Sequence, residues 1–204
     1  MSSLFDLSGR TALVTGGSKG LGKAMAAGFA SHGADVMICS RNADELEATA
    51  SEIREATGRR VEYAVADLTS REGVASLVEV TQSQFGGVDI LVNNAGSNNP
   101  QLIDQVDDEQ WDEILQLNLS SCMALTRAFV PGMKEKGWGR VIHISSIIAL
   151  AAAPGRSVYA ATKAGLIGMA RAQAIELGPS GITVNCIAPG PFLTDLPAAK
   201  LTEE

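Results

Sequence analysis

Two kinds of hydrophobic pattern alternate along the chain. Short aliphatic and β-branched runs, too continuously apolar for a sheet with one solvent-facing side, predict strands at 11–14, 35–39, 61–66, 89–92, 140–145 and 183–187. Between them, apolar residues at helical spacing predict helices at 21–31, 43–57, 71–85, 109–133 and 158–177. Strands that alternate with helices predict an α/β fold with a doubly wound parallel sheet.

The predicted helices differ in which faces are apolar. In the second helix, Leu46, Ala50 and Ile53 recur at helical spacing and mark one buried face. Asn118 interrupts the apolar pattern of helix 109–133, and because Asn is unfavourable inside a helix, we expect a break there. Helix 158–177 is apolar on more than the single stripe that one sheet face requires. A second buried face on that helix predicts a homo-oligomer, either a dimer or a tetramer.

Composition and charge agree with one domain spanning residues 1–204. Hydrophobic residues make up 46% of the chain and charged residues 19%, which excludes extensive disorder. The 23 acidic residues outnumber the 16 basic ones and give a net charge of -7, so nucleic acid is not an expected partner. No apolar run approaches the ~18–20 residues of a membrane-spanning helix. The start of the chain has no leader pattern, so we expect a cytoplasmic protein with no membrane partner.

The cysteines give no sign of a disulfide framework or a metal site. Cys39, Cys122 and Cys186 lack CxxC spacing and a neighbouring His. We therefore expect buried free thiols and no bound metal.

A glycine-rich turn, TGGSKGLG at 15–22, joins the first strand to the first helix. Glycines permit a tight turn and let backbone N–H groups approach a pyrophosphate at the positive end of a helix. Glycines also occur in plain loops, but a strand before and a helix after favour a nucleotide site. The residues of this loop predicted to line the nucleotide are Gly16, Ser18, Lys19, Gly20, Leu21 and Gly22.

The end of the second strand bears on the choice of nucleotide. In such folds an acid at this place holds a ribose 2'-hydroxyl, whereas a basic residue accommodates a 2'-phosphate. The residues here are Ser40, Arg41 and Asn42. Asp35 lies at the other end of the strand, and Asp44 and Glu45 fall inside the next helix. Arg41 and Lys19 are either solvated surface charges or phosphate ligands, and their joint placement favours NADP(H), with NAD(H) as the second possibility.

Tyr159 and Lys163 stand four residues apart on a predicted helix and share one face. An adjacent cation stabilises a phenolate, so this pair can donate or accept a proton closer to neutral pH than tyrosine alone. The same spacing also occurs on helices by chance. Ser146 supplies context, since it ends a buried strand at the sheet edge where ligands bind. Either Ser146 or Ser145 faces that edge, and the sequence leaves the choice open.

Together, six features resemble the short-chain dehydrogenase/reductase family. They are the glycine loop at 15–22, NNAG at 93–96, Asn118, Ser146, YxxxK at 159–163 and Pro-Gly at 189–190. The resemblance covers residues 10–195 and implies an NAD(P)-dependent oxidoreductase on a Rossmann-type sheet of strand order 3-2-1-4-5-6. Family members usually continue with a lid, a further helix and a seventh strand, so we expect these elements to be missing from this sequence.

The resemblance also implies roles for individual residues. Tyr159 would be the general acid/base, Lys163 would assist it and bind the nicotinamide ribose, and Ser146 would bond the substrate oxygen. Asn118 would hold a water in a proton relay to Lys163, although it could also be a kink residue without chemistry. Further residues implied to bind the cofactor are Asp67, Leu68, Asn94, Ala95, Gly96, Pro189, Gly190, Phe192 and Thr194.

Within the family, the opening segment and the SRN at 40–42 are similar to gluconate 5-dehydrogenase-like and 3-oxoacyl-carrier-protein reductase-like members. This implies hydride transfer to a ketone or from a secondary alcohol of a small sugar acid, polyol or 3-oxoacyl substrate. The alternative is a catalytically silent nucleotide-binding regulator or assembly subunit. The joint presence of Asn118, Ser146, Tyr159 and Lys163 favours the enzyme.

Overall fold

The structure is a computed structural model that describes residues 4–192. Six strands form one sheet, in the order β3-β2-β1-β4-β5-β6. They are β1 (Thr11–Thr15), β2 (Asp35–Ser40), β3 (Val61–Val65), β4 (Ile90–Asn93), β5 (Gly139–Ile144) and β6 (Ile182–Ile187). All neighbouring strands are parallel. The predicted α/β fold and its strand order are therefore confirmed, while Thr194 lies outside the described residues.

Helices cover both faces of this sheet. They are α1 (Gly20–Ser31), α2 (Ala43–Thr57), α3 (Arg71–Phe85), α4 (Asp108–Leu115), α5 (Ser121–Lys136) and α6 (Ser157–Leu177). Successive strand residues point to opposite faces, so Val14 and Ile38 pack with α1 and α2, whereas Leu13 and Met37 pack with α3, α5 and α6. The sheet is thus buried on both sides, as its continuous apolar runs predict.

Helix ends follow local chemistry. The predicted bounds of α2 are confirmed, and its face of Leu46, Ala50 and Ile53 is buried. The predicted helix 109–133 is wrong in extent, because α5 continues to Lys136 and ends where Gly137 adopts φ 62°. The expected break is confirmed as a π-helical turn at Gln116–Ser120, which separates α4 from α5.

The fifth predicted strand, 140–145, is shifted by one residue. Strand β5 ends at Ile144, so Ser145 and Ser146 both lie beyond it, at the carboxyl edge of the sheet. Strand β6 is one of the two edge strands of the described sheet, and Thr183, Asn185 and Ile187 on it are exposed. Within residues 4–192, no helix has both the length and the apolarity to cross a bilayer.

Candidate active site

The loops that follow β1 and β4 are tied together by one hydroxyl. Thr15 Oγ1 accepts hydrogen bonds from the backbone N–H groups of Asn94 and Ala95, both at 2.9 Å. Asn94 Nδ2 donates in turn to the carbonyl of Thr15 at 2.9 Å. Sequence reasoning missed Thr15, although a hydroxyl at the end of an otherwise apolar strand was an available signal. These bonds fix Asn94 to Gly96 beside the glycine loop.

The glycine loop has the geometry of an anion cradle. Gly16 adopts φ 64°, and a Cβ on Gly22 would lie 2.1 Å from the carbonyl oxygen of Gly16, so the loop and α1 touch through backbone alone. Lys19 is the N-cap of α1 but gives no side-chain hydrogen bond to the first turn. The N–H groups there point to the carboxyl edge of the sheet, where the helix end favours a negative ligand. The loop therefore fits the pyrophosphate of a dinucleotide.

The two serines after β5 have different roles. Ser145 Oγ donates to the backbone carbonyl of Lys163 at 2.8 Å and ties α6 to the sheet. Ser146 Oγ accepts from the N–H of Ile148 at 3.2 Å, at the start of a short 3₁₀ turn. Of the two serines, Ser145 faces back into the fold, which leaves Ser146 as the candidate to face a ligand.

The side chain of Lys163, in the second turn of α6, is buried and hydrogen-bonded to the end of β5. Its Nζ donates to the carbonyl of Ile144 at 2.8 Å and lies 5.6 Å from the ring centroid of Tyr159. Only 4% of Lys163 is exposed, and this burial lowers the pKa of its ammonium. The predicted shared face of Tyr159 and Lys163 is confirmed, and it places a buried cation beside a half-buried phenol.

Asn118 is more than a kink residue. Its Nδ2 donates to the carbonyl of Ser97 at 2.9 Å and to Thr162 Oγ1 at 3.2 Å, while its Oδ1 accepts from the N–H of Ser97 at 2.9 Å. A Cβ on Gly96 would lie 3.1 Å from Asn118 Oδ1 and 3.3 Å from Lys163 Nζ. The fully buried amide thus joins the loop after β4 to α6, and sequence reasoning missed its partners Ser97 and Thr162.

Side chains compensate for the loosened backbone of the π-helical turn. Ser121 Oγ donates to the carbonyl of Leu117 at 2.5 Å, and Cys122 Sγ donates to that of Asn118 at 3.4 Å. Burial raises the pKa of Cys122 to about 11 and that of Cys39 to about 12. These two cysteines are buried free thiols, whereas Cys186 is a half-buried one. Among the described residues, no group of His, Cys, Asp and Glu could hold a metal.

Residues at the end of β2 and just after it bond mainly to one another. Ser40 Oγ accepts from the N–H of Asn42 at 3.3 Å, and Asn42 Oδ1 caps α2 by accepting from the N–H of Glu45 at 3.1 Å. Arg41 is exposed near Asp67. Hydrogen bonding from the N–H of Thr69 and the charge of Arg41 lower the pKa of Asp67, against its partial desolvation.

Three of the predicted cofactor-binding residues, Leu21, Pro189 and Phe192, line one apolar pocket. The side chain of a fourth, Leu68, lies elsewhere. The pocket has a volume of about 160 Å³ and lies between α1 and the segment after β6. Its lining residues are Leu21, Met25, Ile144, Ile187, Pro189 and Phe192. Gly190 is exposed beside it. The side chain of Leu68 is buried in the core, so only its backbone is available to a ligand.

Known proteins are similar to this chain in sequence and in architecture. The short chain dehydrogenase family model matches residues 10–204. D-beta-hydroxybutyrate dehydrogenase of Cupriavidus necator is 40% identical over 93% of this chain and 73% of its own. The 3-oxoacyl-acyl-carrier-protein reductase of Chlamydia trachomatis is 38% identical over 92% of this chain and 75% of its own. The expected similarity to reductases of the latter kind is confirmed.

A solved structure extends this similarity to three dimensions. L-sorbose reductase from Gluconobacter frateurii, complexed with NADPH and L-sorbose, superposes with a TM-score of 0.93 at 38% identity. The match covers 100% of this chain and 78% of that one. The chain therefore belongs to the short-chain dehydrogenase/reductase family, NAD(P)-dependent oxidoreductases that act on CH–OH groups.

Proposed function

We propose that the chain transfers a hydride between NADP(H) and the carbonyl or secondary alcohol carbon of a small substrate. The observation that carries this proposal is the meeting of Asn118, Ser146, Tyr159 and Lys163 at one edge of the sheet. Lys163 Nζ bonds the carbonyl of Ile144, two residues before Ser146. Asn118 bonds Thr162, the residue before Lys163. The loop after β4, which Thr15 joins to the glycine loop, lies close to two of them, since a Cβ on Gly96 would approach Asn118 and Lys163.

Tyr159 and Ser146 would handle the substrate oxygen. When bound, the nicotinamide supplies or accepts the hydride. The Tyr159 hydroxyl gives a proton to the forming alkoxide in reduction and takes it back in oxidation. Ser146 donates a hydrogen bond to the same oxygen and fixes its position against the phenol.

Lys163 and Asn118 would support that proton transfer. The ammonium of Lys163 lies 5.6 Å from the centroid of the Tyr159 ring. From there it would stabilise the negative charge that develops during the proton transfer. Nζ also has donors beyond the bond to Ile144 with which to meet the nicotinamide ribose. Asn118 positions the loop at Ser97 and holds a water that returns protons to Lys163.

Residues at the glycine loop and after β2 support NADP(H) over NAD(H). Arg41 is exposed at the end of β2, and Ser18 and Lys19 supply further donors in the loop. The strand offers no carboxylate at its end to hold a 2'-hydroxyl. The NADPH complex of L-sorbose reductase agrees with this preference. Asp67, Asn94, Ala95 and Gly96 would contact the remainder of the cofactor, as would the segment Pro189 to Phe192.

The substrate is a small carbonyl compound or alcohol, such as a sugar acid, a polyol or a 3-oxoacyl compound. A panel of 2-keto sugars, keto acids, 3-oxoacyl thioesters and diketones, assayed by NADPH absorbance, tests this proposal. We expect turnover of at least one class. Cofactor binding without turnover of any of them would instead indicate a nucleotide-binding regulator.

We also propose that the protein is a homo-oligomer. Ile175 on α6 is 81% exposed and Met123 on α5 is 41% exposed, which is unusual for large apolar side chains on helices that also build the core. A two-fold contact through these helices would cover them. Light scattering at micromolar concentration should give a dimer or tetramer, and a monomer would contradict this proposal. The three free thiols agree with a reducing compartment, and we propose the cytoplasm.

A further inference from the structure

The carboxylate of Glu45 accepts hydrogen bonds from two side chains of the glycine loop. Glu45 Oε2 accepts from Ser18 Oγ at 3.0 Å, and Glu45 Oε1 accepts from Lys19 Nζ at 3.3 Å. Glu45 belongs to α2, so these bonds cross from one helix to the loop that opens another. Ser18 and Lys19 are two of the three groups that favour a 2'-phosphate.

The local capping pattern explains why Glu45 reaches this far. Asn42 is the N-cap of α2, which makes Glu45 the third helical residue. A Glu at that position commonly bonds back to the N–H of the N-cap residue. Here Ser40 Oγ takes that N–H, at 3.3 Å. The Glu45 carboxylate is therefore available to the loop instead.

The place that Glu45 occupies is the corner where a ribose 2'-substituent would lie. Strands β1 and β2 are neighbours, with Thr15 paired to Cys39, so the loops that follow them emerge side by side. A pyrophosphate at the glycine loop directs the adjoining ribose towards the end of β2. Glu45 therefore lies at this corner, because it bonds to Lys19 and belongs to the helix that begins two residues after Arg41.

We propose that Glu45 is a specificity-determining residue. Its carboxylate weakens binding of the 2'-phosphate and so reduces the preference for NADP(H) over NAD(H). A 2'-phosphate must compete with this carboxylate for Ser18 and Lys19 and is repelled by its charge. A 2'-hydroxyl carries no charge and can donate a hydrogen bond to the carboxylate where it stands. This inference rests on the proposed use of NAD(P)(H) and refines it.

The test is a pair of titrations, with NADPH and with NADH, on wild type and on Glu45→Gln. We expect the ratio of NADPH to NADH affinity to rise about three- to tenfold in Glu45→Gln, mainly through tighter NADPH binding. The effect is modest because the ion pair with Lys19 is partly exposed and screened by solvent. Glu45→Asp, which keeps the charge on a shorter side chain, should leave the ratio nearer to wild type.

Glu52→Gln is the matched control. Glu52 lies two turns further along α2 and pairs with Lys23 at 2.6 Å, so its substitution removes the same charge without touching the loop residues Ser18 and Lys19. An equal rise in Glu52→Gln would mean a general charge effect and would overturn the proposal. An equal loss of affinity for NADPH and NADH in Glu45→Gln would show that Glu45 only stabilises the loop, and it would also overturn the proposal.

The wild-type titrations separate this inference from the proposed function. If wild type binds neither cofactor, the proposed function itself fails. If wild type binds both and turns over substrate but the ratio is unchanged in Glu45→Gln, only the role of Glu45 is wrong. Thermal unfolding of each variant establishes that it is folded, and if Glu45→Gln does not fold, Glu45→Ala replaces it. The same rise in the ratio of NADPH to NADH affinity is expected in Glu45→Ala, and an unchanged ratio would contradict the proposal.

Discussion

The proposed catalytic end of the site, at Asn118 and Lys163, and the proposed adenosine end, at Lys19 and Glu45, hold their side chains in different ways. At the catalytic end, Asn118 and Lys163 are buried, and each is fixed by bonds to backbone carbonyls within 2.9 Å. At the adenosine end, Lys19 and Glu45 are more than a third exposed and meet through their flexible side-chain tips. One end is rigid because burial leaves a polar group few alternatives, whereas the other is adjustable because water competes for every charge.

This difference predicts how each end responds to substitution. At the catalytic end, losing one group should have a large effect on rate, because no neighbour can move into its place. At the adenosine end, losing one charge should change cofactor preference by modest factors, because solvent and adjacent side chains compensate. Four variants, from the largest expected effect to the smallest, test the contrast.

Tyr159→Phe should reduce turnover roughly 10²- to 10⁴-fold, the usual contribution of a general acid/base. Its affinity for NADPH should stay near wild type, since the ring still packs on α6. Steady-state kinetics and a cofactor titration measure both. Tyr63→Phe, which removes the chain's other tyrosine hydroxyl on β3, is the control and should keep full turnover. Retention of more than about a tenth of the activity by Tyr159→Phe would point to another proton donor.

Lys163→Met should lower turnover and also weaken NADPH binding, by about tenfold or more, because a charge-assisted hydrogen bond contributes ~1.5–3 kcal/mol. Methionine keeps the length and bulk of the buried side chain. Lys134→Met, on the exposed end of α5, is the matched control. The two catalytic variants thus differ in kind, and an unchanged NADPH affinity in Lys163→Met would remove Lys163 from the proposed ribose contact.

Arg41→Ala tests the adjustable end. We expect NADPH affinity to fall roughly tenfold, the lower end of the range for a charge-assisted bond, because Arg41 is exposed. NADH affinity should hardly change. Arg60→Ala, at the exposed residue just before β3, controls for the loss of a positive charge. Equal losses with both cofactors would mean that Arg41 contacts the adenine rather than the phosphate.

The smallest effect concerns stability and comes from a buried network behind the catalytic end. His143 is fully buried on β5, 3.1 Å from Asn93 Nδ2 and 3.0 Å from Gln173 Oε1. Burial lowers the pKa of His143, with the charge of Lys163 acting in the same direction. Below about pH 6.5, His143 therefore binds a proton in the unfolded chain more readily than in the native state.

Stability should accordingly be full above about pH 6.5 and decline as the pH falls through the window between the unfolded and folded pKa values of His143. In His143→Gln this part of the decline should be absent. Denaturant unfolding at several pH values measures it, with the exposed His32→Gln as control. A decline of equal slope in wild type and His143→Gln would show that His143 is not its source.

The contrast between the two ends also explains what could be predicted from sequence. Tyr159 and Lys163 could be predicted because helical spacing fixes them on one face. Asn118 could be predicted because it interrupts the apolar pattern of its helix, and its role followed from the resemblance to the family. The choice between Ser145 and Ser146 required the end of β5 to be known to one residue, which pattern alone does not give. Partners such as Thr15 and Ser97 depend on loops meeting in space.

Glu45 shows the limit most clearly. Its position inside α2 was predicted correctly, yet its contact with Ser18 and Lys19 was not foreseen. That contact arises because Ser40 takes the N–H that Glu45 would otherwise bond. Such competition between neighbouring acceptors depends on distances of tenths of an ångström, which residue types and spacing do not contain.

The most direct test of the central claim follows the hydride itself. NADPH carrying two deuterium atoms on the reactive carbon of the nicotinamide, so that either face delivers deuterium, is incubated with wild type and with Tyr159→Phe, together with a carbonyl compound from the panel. The account predicts deuterium on the carbinol carbon of the wild-type product. In the same time it predicts almost none with Tyr159→Phe, although that variant binds NADPH equally well. Equal transfer by both proteins, or product without deuterium, would contradict hydride transfer at this site with Tyr159 as the proton donor.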